Sequence, residues 1–291
     1  MQMRSKLFVP ATRADFFEKA LRSQADSISF DLEDAVLEHR KLEARENLAT
    51  YFSSAEFLQL KAENKKTIIV RVNPLDSGHL EQDLLAICKV GVDIVNIPKS
   101  NTEADIFRFV EILTAIEKKT LVTQGASIKL KVLANIESPS ALINAAKIAS
   151  HSRVWGLQLG LGDLFEPTGI ERYEPINVHH VMLGMSLAAG ASNKIAYDTA
   201  FTNVADPDGF RAEAIQAKKA GFLGKTCIHP NQVAIANDVF SPSEAEIQWA
   251  NKVLASAQEN TVNGAYMLDG KMIDAPFIAR AQSILDTVRS S

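Results

Sequence analysis

The sequence predicts a (β/α)8 TIM barrel followed by a C-terminal helical extension. Three observations carry the prediction. Eight short apolar runs alternate with helix-periodic stretches in one uninterrupted series, and chemically active side chains gather at the C-terminal ends of those runs. The chain has 291 residues, 46% hydrophobic and 23% charged, which suits one large α/β domain or two small ones. A doubly wound open sheet is the competing architecture. No Gly-x-Gly-x-x-Gly opens a first helix, however, and Gly160-Leu161-Gly162 lacks the third glycine and follows the sixth run.

The first strand is Lys6-Leu7-Phe8-Val9, stopped by Pro10, and residues 15–22 carry helix-spaced Phe16, Phe17, Ala20 and Leu21. Ser27-Ile28-Ser29-Phe30 is the second strand and runs into Asp31-Leu32-Glu33-Asp34, with a helix over 40–52. Thr67-Ile68-Ile69-Val70 leads into Arg71-Val72-Asn73-Pro74 and a helix over 80–89. Asp93-Ile94-Val95-Asn96-Ile97 is closed by Pro98-Lys99, and a helix spans 102–118. The fifth strand covers 132–136, after which Ser138 as N-cap and Pro139 in the first turn begin a helix. The sixth covers 154–159. Lys194-Ile195-Ala196-Tyr197 is the seventh, with a helix over 208–220, and Lys225-Thr226-Cys227-Ile228 the eighth, before His229-Pro230.

Beyond the eighth unit, Ser241 as cap and Pro242 start a helix to about Glu259. Residues 260–274, rich in Asn, Gly and Asp, read as a flexible connection into a last helix over 276–288. The expected domains are a catalytic barrel over 1–240 and a helical extension and lid over 241–291.

A net charge of -4 and an isoelectric point near 5.9 argue against nucleic acid or an anionic membrane as the main partner. Cys88 and Cys227 lack metal-type spacing and suggest a reducing compartment. No apolar stretch approaches the roughly 20 residues of a membrane span, and the N-terminal residues lack a signal-peptide pattern. The expectation is a cytoplasmic protein.

Glu137 ends the fifth strand and Asp163 follows the sixth, so two carboxylates stand at neighbouring strand mouths. Oxygen donors of that kind suit a hard divalent cation, although both could instead cap the helices that follow. Arg71 ends a run of buried β-branched residues. Its permanent charge needs an anion, either a ligand's carboxylate or enolate oxygen or the acidic cluster. Arg13, Asp31, Glu33, Asp34, Asn73, Lys99, Asp198 and His229 also stand at strand ends, each with a structural role equally open.

In order along the chain, Arg4-Ser5-Lys6-Leu7-Phe8-Val9-Pro10, Asp31-Leu32-Glu33-Asp34-Ala35-Val36, Arg71-Val72-Asn73-Pro74, Asn135-Ile136-Glu137-Ser138, Gly221-Phe222-Leu223-Gly224-Lys225 and Ile228-His229-Pro230 resemble the citrate lyase β-subunit-like group of the HpcH/HpaI aldolase superfamily. The resemblance implies a Mg2+-dependent lyase, with Mn2+ as a substitute, that cleaves a 3-hydroxyacyl-CoA thioester of citramalyl-CoA or malyl-CoA type to acetyl-CoA and a 2-oxo acid. By position it makes Glu137 and Asp163 metal ligands, Arg71 a catalytic and substrate-binding residue, and Glu33 and Asp34 an acidic network beneath the metal. It likewise assigns Pro10, Arg13 and Pro230 to substrate binding, and Asp274 to a catalytic lid carried by a neighbouring subunit of a homotrimer or hexamer. The turn over 160–169 departs from the family pattern through Phe165 and Pro167, which bears on the acyl group. An aldolase on free 2-oxo acids is the alternative enzyme, but His39, His179, His180 and His229 do not fall at that group's early-strand position. A catalytically silent barrel serving as a binding subunit is the non-enzyme alternative.

Overall fold

Strand runs made of Ile, Val, Leu and Phe have no solvent face of their own, and closure of the sheet gives them none. In the computed structural model, which describes residues 2–120, 129–259 and 264–289, β1 (Ser5–Pro10), β2 (Ser27–Asp31), β3 (Thr67–Arg71), β4 (Ile94–Ile97), β5 (Lys131–Ile136), β6 (Val154–Leu159), β7 (Ile195–Ala200) and β8 (Lys225–Cys227) form a closed parallel barrel in chain order. The seam joins β1 to β8, with Ser5 opposite Lys225 and Leu7 opposite Cys227. The barrel expected from the sequence is therefore present, and the open sheet is excluded.

Around the strands run α1 (Phe17–Leu21), α2 (Lys41–Phe52), α3 (Ala55–Glu63), α4 (Leu80–Ile87), α5 (Glu103–Thr120), α6 (Pro139–Ser150), α7 (Leu161–Phe165), α8 (Pro175–Gly190), α9 (Pro207–Lys219) and α10 (Pro230–Phe240). Ser138 caps α6 as expected, its hydroxyl accepting from the Ala141 N–H at 3.0 Å. The sequence reading lacks α3, α7, α8 and α10. For α8 the reason is plain: Val178, Val181, Met182 and Met185 are buried, but Ile176, Leu183 and Leu187 on the outer side are apolar too. With no polar stripe there is no amphipathic period to read.

Two units divide the chain, Met3–Asn237 and, apart from it, Asp238–Ser291 with Met1–Gln2. In the first, Met3, Ile69, Ile94, Leu133 and Tyr197 plug one end of the barrel. Two residues further along the same strand faces stand Arg71, Asn96 and Asn135. Side chains two apart share a face, so the apolar plug gives way to a polar layer toward the C-terminal mouth. Asp198 is not a mouth residue. It lies within β7, fully buried, with its carboxylate 2.6 Å from Lys225 Nζ, and the same ammonium stands 2.7 Å from Glu213. Arg172 completes the set at 2.9 Å from Glu213.

In the second unit, α11 (Glu244–Glu259), β9 (Tyr266–Leu268), β10 (Lys271–Ile273) and α12 (Ala275–Arg289) pack through Ala250, Val253, Ile273 and Ala281. Two expectations are corrected here. The cap of α11 is Ser243 rather than Ser241: its hydroxyl accepts from the Glu246 N–H at 3.2 Å while Glu246 accepts from the Ser243 N–H at 2.8 Å, a reciprocal capping box. Most of the connection expected to be flexible is a hairpin, β9 antiparallel to β10. Asp269 and Gly270 turn it with φ of 50° and 75°, the left-handed pair that a two-residue hairpin demands. Residues 260–263 of that expectation lie outside the described residues. Among the described residues no helix is long and apolar enough to cross a membrane.

Replacing Lys225 by Met would strand two carboxylates in the barrel wall. We expect a loss of about 3–5 kcal/mol in urea unfolding; a loss below about 1 kcal/mol would show that Arg172 alone balances them.

Candidate active site

The mouth is built outward from Arg71. Register places it opposite Asp31, the last residue of β2. Its Nε and Nη2 donate to the two Asp31 oxygens at 2.7 and 2.6 Å, and Nη1 stands 2.7 Å from Glu33 and 3.6 Å from Asp34. Burial opposes the guanidinium charge, but these carboxylates outweigh it and raise its pKa. Asp31 also accepts the Glu33 and Ala35 N–H groups, which bends the acidic loop back over the strand end. Lys41 Nζ ties the loop from below by donating to the carbonyls of Leu32 and Glu33 and to Asn73 Oδ1.

Lys99 links this cluster to the next strand. Its φ of 54° is left-handed and costly for a residue with a Cβ. In that conformation its N–H donates to Glu137 Oε1 at 2.5 Å while its Nζ reaches Glu33 at 3.0 Å. Both Glu33 oxygens are buried and meet these cations without the alignment of a hydrogen bond. Burial pushes the Glu33 carboxyl up to about 7; Arg71 and Lys99 oppose the shift, and Asp34 adds to it.

Glu137 is positioned from three sides. Asn135 Nδ2 donates to its Oε2 at 2.9 Å, and Asn96 Nδ2 in turn donates to Asn135 Oδ1 at 2.7 Å. Gly160 lies so close that a Cβ there would come within 2.6 Å of Glu137 Cβ, so only glycine lets β6 pass. Asp163 is exposed in the first turn of α7. Both carboxylates line one cavity of about 430 Å3, together with Phe8, Pro10, Arg71 and Gln158. Burial raises the Glu137 pKa; the Lys99 N–H and Asn135 oppose this, while the Asp163 charge adds to it. Two carboxylates facing one space, one of them buried, are a donor set that fits a hard divalent cation. Among the described residues no group of three or more His, Cys, Asp and Glu converges to hold a metal ion, here or elsewhere, so this site offers two carboxylates.

Of the residues expected at the site, Glu137, Asp163, Arg71, Asp34 and Pro10 line this cavity. Glu33 lies in an adjoining hollow with Asp34 and Lys99. Arg13 is not on the lining: its guanidinium forks onto Asp15 at 3.0 and 2.9 Å and stacks on Phe16, all at the surface. Pro230 starts α10 and leaves the wall to Ile228. Asp274 belongs to the other unit. Its carbonyl accepts the N–H groups of Phe277 and Ile278 at the start of α12, and its Oδ1 is buried without a hydrogen-bond partner. The sequence assigns no role to Asn135 or Gln158 and leaves that of Lys99 open. Asn135 was within reach, since it stands two residues before Glu137 on the same strand face.

Comparison with known proteins agrees with this fold. Residues 4–230 match the family model described as HpcH/HpaI aldolase/citrate lyase. The citrate lyase subunit beta of Haemophilus influenzae is 35% identical over 291 residues, covering 99% of this chain and 97% of that protein. A (3S)-malyl-CoA thioesterase of Cereibacter sphaeroides is 36% identical over 286 residues, 97% of this chain and 93% of that protein. The crystal structure of the CitE protein from Mycobacterium tuberculosis in complex with magnesium, acetoacetate and coenzyme A superposes with a TM-score of 0.76 at 27% identity, covering 99% of this chain and 98% of that one.

Glu33 holds its proton more tightly in the fold than in the unfolded chain. Its contribution to stability is therefore complete below about pH 4.5 and is lost as pH rises through about 7. In urea unfolding at pH 5 and pH 7.5, Glu33→Gln should show less of that decline than the unsubstituted chain. Equal declines would mean that Glu33 titrates as it does in water.

Proposed function

The chain belongs to the HpcH/HpaI aldolase/citrate lyase family, and on that premise we propose that it is a Mg2+-dependent carbon–carbon lyase. Its substrate is a 3-hydroxyacyl-CoA thioester, of which the citramalyl-CoA and malyl-CoA skeletons are the simplest, and its products are acetyl-CoA and a 2-oxo acid. The observation that carries the reading is the convergence of Glu137 and Asp163 on the cavity that Arg71 also lines. The likeness to citrate lyase beta subunits, and to a CitE protein crystallised with magnesium, acetoacetate and coenzyme A, supports it. Thioester hydrolysis is a second activity, favoured by the 36% identity to a (3S)-malyl-CoA thioesterase.

Glu137 and Asp163 would hold Mg2+, which supplies Lewis acidity to a substrate's 2-hydroxy carboxylate. Asn135 and the Lys99 N–H fix the Glu137 oxygens, so the carboxylate needs no rearrangement when the ligand arrives. Arg71, each nitrogen already on a carboxylate, stands as a rigid positive charge at the edge of the cavity. A base takes the hydroxyl proton, the carbon–carbon bond breaks toward the thioester as an enolate, and that carbon then receives a proton. Asp274, with its uncommitted Oδ1, is the acid–base group of the lid.

The lid reading makes the protein a homo-oligomer, a trimer or hexamer. Ile176, Leu183 and Leu187 support this, since spacings of seven and four place all three on one exposed face of α8. The two buried free thiols, Cys88 and Cys227, fit a reducing, cytoplasmic setting.

Incubation with citramalyl-CoA and malyl-CoA in Mg2+ should release acetyl-CoA. Glu137→Gln should reduce release to background without lowering the melting temperature, and full activity of that variant in metal-limited buffer would refute the ligand assignment. Separately, mixing inactive Asp274→Asn and Glu137→Gln chains should restore part of the activity if the lid crosses between subunits. No recovery despite proven subunit exchange would place each lid over its own barrel.

A further inference from the structure

The sulfur atoms of this chain are sorted by depth. Among the described residues Met3, Met182, Met185, Cys88 and Cys227 are all fully buried. Burial also pushes both thiols up to about 12, so neither supplies the thiolate through which cysteine oxidises. Met267 and Met272 are the exceptions, 66% and 56% exposed, although a thioether is an apolar group.

Both belong to the hairpin of the C-terminal unit. Register sets Met272 on β10 directly opposite Met267 on β9. Opposed residues of an antiparallel pair hold their Cβ atoms about 4.5–5.5 Å apart, within reach of each other. The neighbouring residues Tyr266, Leu268 and Ile273 turn the other way and pack in the core of the unit. The hairpin therefore has one committed face and one open face, and the two thioethers share the open one. Asp274 follows Met272 by two residues. With strands of three residues each, the hairpin has little ladder to lose and depends on its side-chain contacts.

We propose that Met267 and Met272 are a paired oxidation site for peroxides, and that their conversion to sulfoxides loosens the hairpin that leads into Asp274. With hydrogen peroxide, a sulfur lone pair attacks one oxygen, the O–O bond breaks and an S–O bond forms. The transferred oxygen gives its proton to the departing hydroxide, which leaves as water. Each sulfur is oxidised by two electrons and each peroxide reduced by two. Two polar S–O groups then stand where two apolar side chains were paired, and the apolar contact is lost. Any consequence for catalysis rests on the lid reading; the site itself does not.

The test treats the full chain with hydrogen peroxide and follows each methionine by peptide mass spectrometry. Met267 and Met272 should gain oxygen about tenfold or more faster than Met3, Met182 and Met185, which are reached only when their surroundings open. Amide hydrogen exchange over 266–273 should then quicken about two- to fivefold, the worth of one cross-strand pair, and slow again after methionine sulfoxide reductase. Combined Met267→Leu and Met272→Leu replacement should keep exchange unchanged through the treatment, and Met267→Gln with Met272→Gln should show the faster exchange without peroxide. Melting temperatures confirm that each variant is folded. Equal oxidation of buried and exposed methionines would overturn the site. Unchanged exchange in the oxidised chain, or a quickening that the Leu pair does not prevent, would overturn the loosening. Release of acetyl-CoA is measured in parallel and should fall with the hairpin's protection. Release that stays constant while exchange quickens would refute the lid role of Asp274 and leave the oxidation site standing, as would a chain that releases none before treatment.

Discussion

A guanidinium at the end of a buried strand must be neutralised, and the mouth of this barrel is organised by that requirement. Arg71 cannot lose its proton, so the chain surrounds it with Asp31 and Glu33 and places Asp34 within reach. The acidic loop after β2 takes its shape from this, because Asp31 both pairs with Arg71 and accepts the backbone N–H groups that turn the loop. An excess of carboxylate over cation then draws in Lys99, whose strained backbone points an N–H at Glu137. One buried charge on β3 thus reaches, through three contacts, the carboxylate just after β5 that defines the candidate metal site.

The interior continues the same logic. A barrel of this size could be filled with apolar side chains throughout, and at its closed end apolar Met3, Ile69, Ile94 and Leu133 surround Tyr197. Toward the mouth it holds Asn96, Asn135, Gln158 and Lys6, nearly all engaged with one another or with Glu137. Such a layer adds little net stability, since each hydrogen bond mainly replaces one to water. What it contributes is preorganisation: the amides hold one another, and through Asn135 they hold the Glu137 carboxylate at the cavity. The wall around Lys225, Asp198 and Glu213 shows the contrasting use of charge, fully buried and self-balanced, and turned away from chemistry.

The C-terminal unit has a core of its own. Its core is small, its helix start is secured by a reciprocal cap, and its hairpin is turned by Asp269 and Gly270. Those features hold the segment before α12 in a defined path, with Asp274 at its end. A carboxylate oxygen buried without a donor is costly, and that cost is tolerated most readily where a partner arrives with the substrate or with another subunit.

The sequence by itself determined the barrel, the order of its strands, the Ser138 cap, and that Glu137, Asp163 and Arg71 stand where strands end. These follow from short-range rules: apolar runs of strand length, helix-start residues, and charged residues where such runs stop. The helix α8 was not legible because its exposed face is as apolar as its buried one. The hairpin of the extension carries an Asp-Gly signal, but within a stretch whose Asn, Gly and Asp content has the composition of a loop. Only the tertiary structure decided which partner Arg71 takes, that Asp198 serves the wall and not the mouth, that Arg13 turns to Asp15, and that Lys6 stands behind Gln158. Lys6 and Gln158 are 152 residues apart, and their meeting depends on closure of the whole sheet. Pairings of that kind are fixed by register and burial across the barrel, which no local pattern encodes.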